Sequence, residues 1–151
     1  MNPAMKSEDT TVKNILIIDD DPDSLLLVST MIDYVGHRSV TANNFDSALA
    51  ALRDDPAAVV LDLIMPAQTS ERIIEEIIRL APDMPVVLIS ASSDERLAER
   101  ADECKRQGVN VVSTLRKPFW VDAMVTALEQ ALPPSSEQAL APGLMRFAAI
   151  R

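Results

Sequence analysis

The chain has 151 residues, of which 48% are hydrophobic and 25% are charged. This composition predicts one soluble globular domain and excludes a disordered or fibrous chain. One cysteine and one histidine cannot supply a structural zinc site or an intramolecular disulfide. The formal net charge of -9 argues against direct binding of nucleic acid. No apolar run approaches the roughly 20 residues of a membrane span, so we expect a cytoplasmic protein that does not bind membranes.

Short apolar runs alternate with stretches of helical spacing along the chain. The predicted strands are residues 15–18, 38–42, 57–61, 86–89 and 109–115. Each is followed by a segment whose apolar residues recur at helical spacing. This alternation indicates βα units, and the continuous apolar character of the strands is typical of a parallel sheet covered on both faces.

Local signals define the ends of two predicted helices. Asp21 and Pro22 predict the N-cap and first residue of the first helix, and Gly36 predicts its end. Ser92 and Glu95 have the spacing of a capping box for the fourth helix. The inward positions of that helix are predicted to be Leu97, Ala98, Ala101 and Cys104.

The pattern divides the chain into three parts. Residues 1–13 form an N-terminal extension, 14–132 the globular domain, and 133–151 a flexible C-terminal tail that starts with two prolines and two serines. The tail leaves no room for an output domain, so we expect the domain to stand alone. Trp120 is predicted either to fill the core or to lie on an exposed surface that binds a partner.

Polar residues end or follow four of the predicted strands, at Asp19 and Asp20, Asp62, Ser90 and Lys117. Because parallel strands point the same way, these side chains share one rim of the sheet. For a five-stranded sheet of order 2-1-3-4-5, the binding crevice lies on this rim between strands one and three. Those two strands carry the acids, so we expect the functional site there.

Three neighbouring carboxylates need a partner of opposite charge. At ~4 Å and an effective dielectric constant near 20, each pair repels by roughly 4 kcal/mol. A proton, Lys117 or a hard dication can relieve this repulsion, and an oxygen-only site of a few carboxylates suits Mg²⁺. An ionised Asp62 beside Mg²⁺ could then attack phosphorus, while Ser90 and Lys117 neutralise the phosphoryl oxygens.

Four segments resemble the receiver domain of two-component response regulators. They are ILIIDDDPD at 15–23, VVLDLIMP at 59–66, VVLISA at 86–91 and RKPF at 116–119. The resemblance extends over residues 14–132, in matching order and at βα spacing. It implies an α/β fold of the flavodoxin-like (βα)5 type, with a five-stranded parallel sheet of order 2-1-3-4-5.

The resemblance also implies a role for each residue of the acidic cluster. Asp62 would be the phosphoacceptor and Asp20 a direct ligand of Mg²⁺. Asp19 would bind the metal through water, and the main-chain carbonyl of Ile64 would complete the protein ligands.

By the same resemblance, Ser90 is the switch hydroxyl and Lys117 the lysine of the phosphorylation site, followed by a cis Pro118. The implied partners are a sensor histidine kinase or histidine phosphotransfer protein, and a downstream effector protein. The chain would catalyse only its own aspartyl phosphorylation and dephosphorylation. It would signal by a conformational change of the surface formed by the fourth helix, fifth strand and fifth helix, or by phosphorelay. The resemblance also implies a monomer or weak dimer.

Three features depart from the family pattern. Ser70 stands where members usually carry glycine, and Thr114 stands where they usually carry an aromatic residue. The stretch between Ser90 and Lys117 is also several residues longer than usual. These departures predict a differently built loop after the third strand and a remodelled fourth helix.

Two other readings stay open at this point. Ser70 and Thr114 favour an interaction module of receiver shape that never uses phosphate. A phosphohydrolase of the haloacid dehalogenase type would use Asp19 as nucleophile and Asp21 as second acid. That class also needs an acidic pair after the lysine, and no such pair follows Lys117.

Overall fold

The computed structural model describes residues 11–133, which form a five-stranded parallel sheet of order β2-β1-β3-β4-β5. The strands are β1 (Asn14–Ile18), β2 (Arg38–Ala42), β3 (Ala58–Asp62), β4 (Pro85–Ser90) and β5 (Asn110–Arg116). The predicted flavodoxin-like α/β fold and its strand order are confirmed.

Five helices connect or follow the strands and cover both faces of the sheet. They are α1 (Pro22–Val35), α2 (Phe45–Arg53), α3 (Thr69–Leu80), α4 (Asp94–Gln107) and α5 (Val121–Ala131). Helices α1 and α5 pack on one face, and the other three pack on the opposite face. A short 3₁₀ turn, Pro66–Gln68, precedes α3.

The three central strands form the core of the sheet. Along β1, Leu16 and Ile18 contact the α2, α3 and α4 layer, while Ile15 and Ile17 contact the α1 and α5 layer. All four side chains are fully buried, and burying each contributes about 1.5–3 kcal/mol. The ends of these strands are therefore a rigid base for the polar residues that follow them.

Capping residues define the ends of helices α1 and α2. Asp21 caps α1 by accepting a hydrogen bond from a main-chain N–H, with Pro22 in the first turn, as predicted. Gly36 ends α1 in the left-handed conformation with φ of 100°, which a glycine adopts at no steric cost. Helix α2 begins with a capping box between Asn44 and Ser47.

The predicted capping box of α4 is wrong. The cap is Ser93, whose hydroxyl accepts a hydrogen bond from the N–H of Arg96. Ser92 does not cap the helix because its hydroxyl lies 2.8 Å from the hydroxyl of Ser90. Glu95 is therefore an exposed residue of the first turn.

The exposure of two further side chains can be compared with the sequence predictions. Ala98 was predicted to be buried, and Trp120 was predicted to be either buried or exposed. Ala98 is exposed because the inward stripe of α4 follows Leu97, Ala101 and Cys104, and Ala98 is rotated about 100° away from Leu97. Trp120 is 85% exposed just before α5, so the core position considered for it is wrong. Cys104 is buried, as predicted.

The long stretch between β4 and the end of β5 contains a 14-residue helix and an irregular strand pairing. Val86 pairs with Val111, but Val87 pairs with Ser113, so Val112 is an additional residue in β5. Such a bulge disrupts the ladder locally. The β4–β5 edge is thus less regular than the pairings of β1 with β2 and β3.

Most of the predicted extension, 1–13, and nearly all of the predicted flexible tail, 133–151, lie outside the described residues. Between residues 11 and 133, none of the helices has the length and apolar character needed to cross a bilayer.

Candidate functional site

Three aspartates meet at the carboxyl ends of β1 and β3. One carboxylate oxygen from each of Asp19, Asp20 and Asp62 lies within 4.8 Å of the others. Asp19 is fully buried and Asp62 is 4% exposed, whereas Asp20 is exposed. The cluster predicted from the strand ends is therefore present, with two carboxylates in the protein interior and one at the surface.

Lys117 joins the two buried carboxylates. Its Nζ lies 2.8 Å from Oδ2 of Asp19 and 2.8 Å from Oδ2 of Asp62. The main-chain N–H of Lys117 donates to the carbonyl of Ser90, which fixes the chain where it leaves β5. One ammonium thus faces three acids, so two negative charges remain uncompensated when all three are ionised.

The second oxygen of each buried carboxylate accepts a main-chain hydrogen bond. Oδ1 of Asp62 accepts from the N–H of Ile64 at 2.8 Å, and Oδ1 of Asp19 accepts from the N–H of Asp21 at 3.0 Å. Every oxygen of the two buried carboxylates therefore has a donor. Both side chains are held in a fixed orientation by groups on three separate loops.

The pKa values of the two buried acids are shifted in opposite directions. Burial raises the pKa of Asp19, but hydrogen bonds from Lys117, Ser24 and a main-chain N–H outweigh it and hold the pKa below its ordinary value. Burial, with the nearby charge of Asp19, raises the pKa of Asp62 despite its hydrogen bonds from Lys117 and Ile64. The hydrogen bond from Lys117 is the largest cause that lowers the pKa of either carboxyl, so it favours the ionised form of each.

Lys117 stays charged. Burial alone would lower its pKa, but hydrogen bonds to Asp19 and Asp62 and the charges of both raise the pKa above its ordinary value. Its ammonium is therefore a permanent positive charge in the site at neutral pH.

Ser90 lies at the same rim, but its hydroxyl bonds within its own loop. It is the last residue of β4, directly after Ile89, which pairs with Asp62 of β3. The buried Ser90 hydroxyl lies 2.8 Å from the Ser92 hydroxyl and accepts the Ser92 N–H at 3.1 Å. The structure thus places Ser90 beside the acidic cluster with its hydroxyl held by Ser92.

Ser70 is a site residue whose contact the sequence did not reveal. It is fully buried in the first turn of α3, and its hydroxyl donates to the main-chain carbonyl of Asp62 at 2.6 Å. Its position had signalled only a differently built loop. No sequence signal relates a serine to a carbonyl eight residues earlier across a loop.

Two further predicted positions are Ile64 and the peptide bond before Pro118. Ile64 is 55% exposed, and its main-chain N–H donates to Asp62. The peptide bond between Lys117 and Pro118 is cis, as the resemblance implied.

The donor set fits a hard dication. The cluster offers only oxygen ligands, and its most exposed member, Asp20, opens toward solvent. Mg²⁺ prefers such sites, with one or two carboxylates and several retained waters. The two charges that Lys117 leaves uncompensated match the charge of one such ion.

The family model described as the response regulator receiver domain matches residues 15–129. This match covers most of the chain and includes all the strand-end residues described above. The chain belongs to the response regulator receiver family.

Individual proteins and solved structures are also similar to this chain. The transcriptional regulatory protein GlrR of Escherichia coli is 32% identical over 124 residues, which cover 82% of this chain and 27% of GlrR. A crystal structure of NtrX from Brucella abortus is 31% identical with a TM-score of 0.72, over 89% of this chain and 30% of NtrX. CheY4 of Vibrio cholerae shares the fold, with a TM-score of 0.70 at 21% identity over 81% of this chain and 100% of CheY4.

The chain thus spans well under half the length of GlrR and NtrX. Receiver domains are signalling domains rather than conventional enzymes, and they interact with histidine kinases and effectors. They bind Mg²⁺ at an acidic pocket, and this chain has a cluster of three aspartates at the carboxyl ends of β1 and β3.

Proposed function

We propose that this receiver accepts a phosphoryl group on Asp62 from the phosphohistidine of a sensor histidine kinase or a histidine phosphotransfer protein. The observation that carries the proposal is the environment of Asp62 at the end of β3. Its carboxylate is buried, oriented by Lys117 and the Ile64 N–H, and lies beside Asp19 and Asp20.

The transfer itself requires positioning more than new chemistry. A carboxylate oxygen of Asp62 forms a bond to phosphorus as the bond between phosphorus and the donor's imidazole nitrogen breaks. The nitrogen keeps the electron pair of that bond and is protonated. The ammonium of Lys117 neutralises charge on the phosphoryl oxygens, and the product is an acyl phosphate on Asp62.

Asp19, Asp20, Asp62 and the carbonyl of Ile64 are the groups that would hold Mg²⁺. When bound, the ion supplies positive charge that stabilises the phosphoryl oxygens and lowers the pKa of nearby carboxyls. This second effect opposes the raised pKa of Asp62 and keeps its carboxylate ionised for attack.

We further propose that Ser90 carries the signal. Its hydroxyl leaves Ser92 and hydrogen-bonds to the new phosphoryl oxygens, which moves the loop that enters α4. The changed surface of α4, β5 and α5 then binds an effector protein, or the phosphoryl group passes on in a phosphorelay. A cytoplasmic location, a monomer or weak dimer, and a receiver that stands alone remain predictions.

Intact-mass measurement with a small phosphodonor and Mg²⁺ tests the proposal. The wild-type chain should gain one phosphoryl group, and Asp62→Asn should gain none because an amide is not a nucleophile here. Asp83→Asn, at an exposed loop before β4, is the matched control and should load like the wild type. Full loading of the Asp62→Asn chain would place the acceptor elsewhere.

The same experiment distinguishes the other two readings. A wild-type chain that never loads would support an interaction module independent of phosphate. Steady release of phosphate from phosphomonoesters would support a phosphohydrolase. In the structure the second acid of that reading, Asp21, caps α1 through its side chain.

A further inference from the structure

The loop between β3 and α3 is clamped to the end of β3 by Ser70. The side chain of Ser70 is fully buried, and its hydroxyl donates to the carbonyl of Asp62 at 2.6 Å. The parallel ladder between β1 and β3 ends with the pair Ile18 and Leu61, one residue before Asp62. Asp62 still pairs with Ile89 of β4, and the Ser70 hydroxyl adds a hydrogen bond from the following loop to its carbonyl.

The clamped loop has an unusual backbone. Ala67 and Gln68 are in the left-handed region, with φ of 59° and 55°, which side chains with a Cβ adopt at a steric cost. Such residues persist only where surrounding contacts enforce them. Two hydroxyl groups supply contacts here: Thr69 donates to the carbonyl of Pro66 at 2.7 Å, and Ser70 donates to Asp62.

The same loop orients the reacting carboxylate. It contains Ile64, whose N–H binds Oδ1 of Asp62, while Lys117 binds Oδ2. The hydroxyl of Ser70 thus fixes the main chain of Asp62 from one side, and the loop it anchors fixes the carboxylate from the other.

We propose that Ser70 is a positioning residue for phosphoryl transfer to Asp62. This inference rests on the proposed function. Removal of the hydroxyl takes a hydrogen-bond donor away from a buried carbonyl, and the end of β3 and the loop shift together. Because in-line attack depends on placement within a fraction of an ångström, the carboxylate then reacts more slowly while the fold is kept.

The test compares Ser70→Ala with Ser47→Ala. Ser47 also bonds the backbone in the first turn of a helix, but its hydroxyl contacts Asn44 and not Asp62. With a phosphoramidate as phosphodonor and Mg²⁺ present, Ser70→Ala should lower the maximal phosphorylation rate about tenfold and leave the apparent KM unchanged. Ser47→Ala should be phosphorylated at the wild-type rate. Ser70→Thr keeps a hydroxyl, so its phosphorylation rate should be close to that of the wild type.

A second readout follows the carboxylate directly and uses no phosphodonor. The amide proton resonance of Ile64 reports its hydrogen bond to Asp62, so it should shift in Ser70→Ala and stay in place in Ser47→Ala. This readout decides the question if Ser70→Thr does not fold.

The outcomes separate this inference from the proposed function. A Ser70→Ala chain that loads at the wild-type rate, or loses no more than Ser47→Ala, overturns the positioning role. An unchanged Ile64 resonance in Ser70→Ala also overturns it. If the wild-type chain never loads, the proposed function fails, while a shifted Ile64 resonance would still show that Ser70 holds the Asp62 carboxylate.

Discussion

The carboxylates at the ends of β1 and β3 are held more firmly than the hydroxyl at the end of β4. On the flank of β1 and β3, both oxygens of Asp19 and of Asp62 have donors, and the pairing of the two strands is regular. On the flank of β4 and β5, the Ser90 hydroxyl bonds only to the nearby Ser92 among the described residues. The strand pairing there is interrupted by a bulge.

This difference assigns separate tasks to the two flanks. A fully bonded carboxylate pair holds a reaction site in place before any donor arrives, as phosphoryl transfer by positioning requires. A hydroxyl held by one neighbour in its own loop can exchange that neighbour for a phosphoryl oxygen at little cost. Under the proposed function, the flank of β1 and β3, called the chemical flank, is preorganised for the reaction. We expect the flank of β4 and β5, called the signalling flank, to be the part that moves.

Lys117→Met should produce the largest loss of stability. It leaves Asp19 and Asp62 buried and facing each other without the ammonium that bridges them. Without Mg²⁺ at pH 7, the free energy of unfolding should fall by about 3 kcal/mol, measured by urea denaturation. Lys105→Met, at an exposed position of α4, is the control. Equal stability of the two variants would show that the chemical flank does not depend on the bridge.

The pH dependence of the wild type follows from the same bridge. Because the folded pKa of Asp19 is lowered, its contribution to stability is present above the ordinary value of 3.8 and is lost as pH falls through the folded pKa. Because the pKa of Lys117 is raised, its contribution is present below 10.5 and is lost as pH rises through the folded pKa. Lys117→Met should abolish the alkaline part of this profile.

Asp20→Ala should weaken Mg²⁺ binding by about tenfold. Asp20 is the exposed acid of the cluster, so its removal lowers the charge that attracts the ion without breaking the buried bridge. Calorimetric titration measures the affinity, and Asp23→Ala in the first turn of α1 is a neighbouring control. Unchanged affinity in Asp20→Ala would separate the metal site from this cluster.

Activation should change the signalling flank more than the chemical flank. With Mg²⁺ and beryllofluoride as a phosphoryl mimic, we expect altered amide exchange mainly in residues 91–107, which include α4. The coupling should be modest, at the lower end of the usual ~1–3 kcal/mol. Thr114 is exposed and too small to fill space beneath α4, so little change is expected there. Altered exchange in residues 111–115 with a silent α4 would reverse this assignment.

The smallest effect lies away from both flanks, at His37. Its Nδ1 accepts the N–H of Lys13 at 3.1 Å, and burial, with the charge of Lys13, lowers its pKa. Its contribution is therefore present above the ordinary value of 6.5 and is lost as pH falls through the folded pKa. His37→Gln should remove this part of the fall in the free energy of unfolding below pH 6.5, measured by urea denaturation. A wild-type slope equal to that of the variant would contradict this.

The sequence predicted the fold and the acidic cluster because both follow from short-range signals. Apolar runs fix the strands, and a shared strand direction brings Asp19, Asp20 and Asp62 to one rim whatever the loops do. The cap at Asp21 was equally local.

Features that depend on contacts across a loop could not be predicted. The cap of α4 moved to Ser93 because Ser92 is engaged by Ser90, and either serine fits the local pattern. The residues next to Trp120 in the sequence fit a buried side chain as well as an exposed one. The bond from Ser70 to Asp62 closes a loop in which Ala67 and Gln68 are left-handed, and no composition signal marks these two residues.

The carboxylate of Asp62 is the proposed acceptor of the phosphoryl group. Borohydride reduces an acyl phosphate of aspartate to homoserine, so treatment of the loaded chain followed by peptide mass mapping locates the acceptor. We expect homoserine at position 62 and unchanged aspartate at 19 and 20. Homoserine at either of those positions, or a phosphoryl group that survives reduction on a serine, would contradict it.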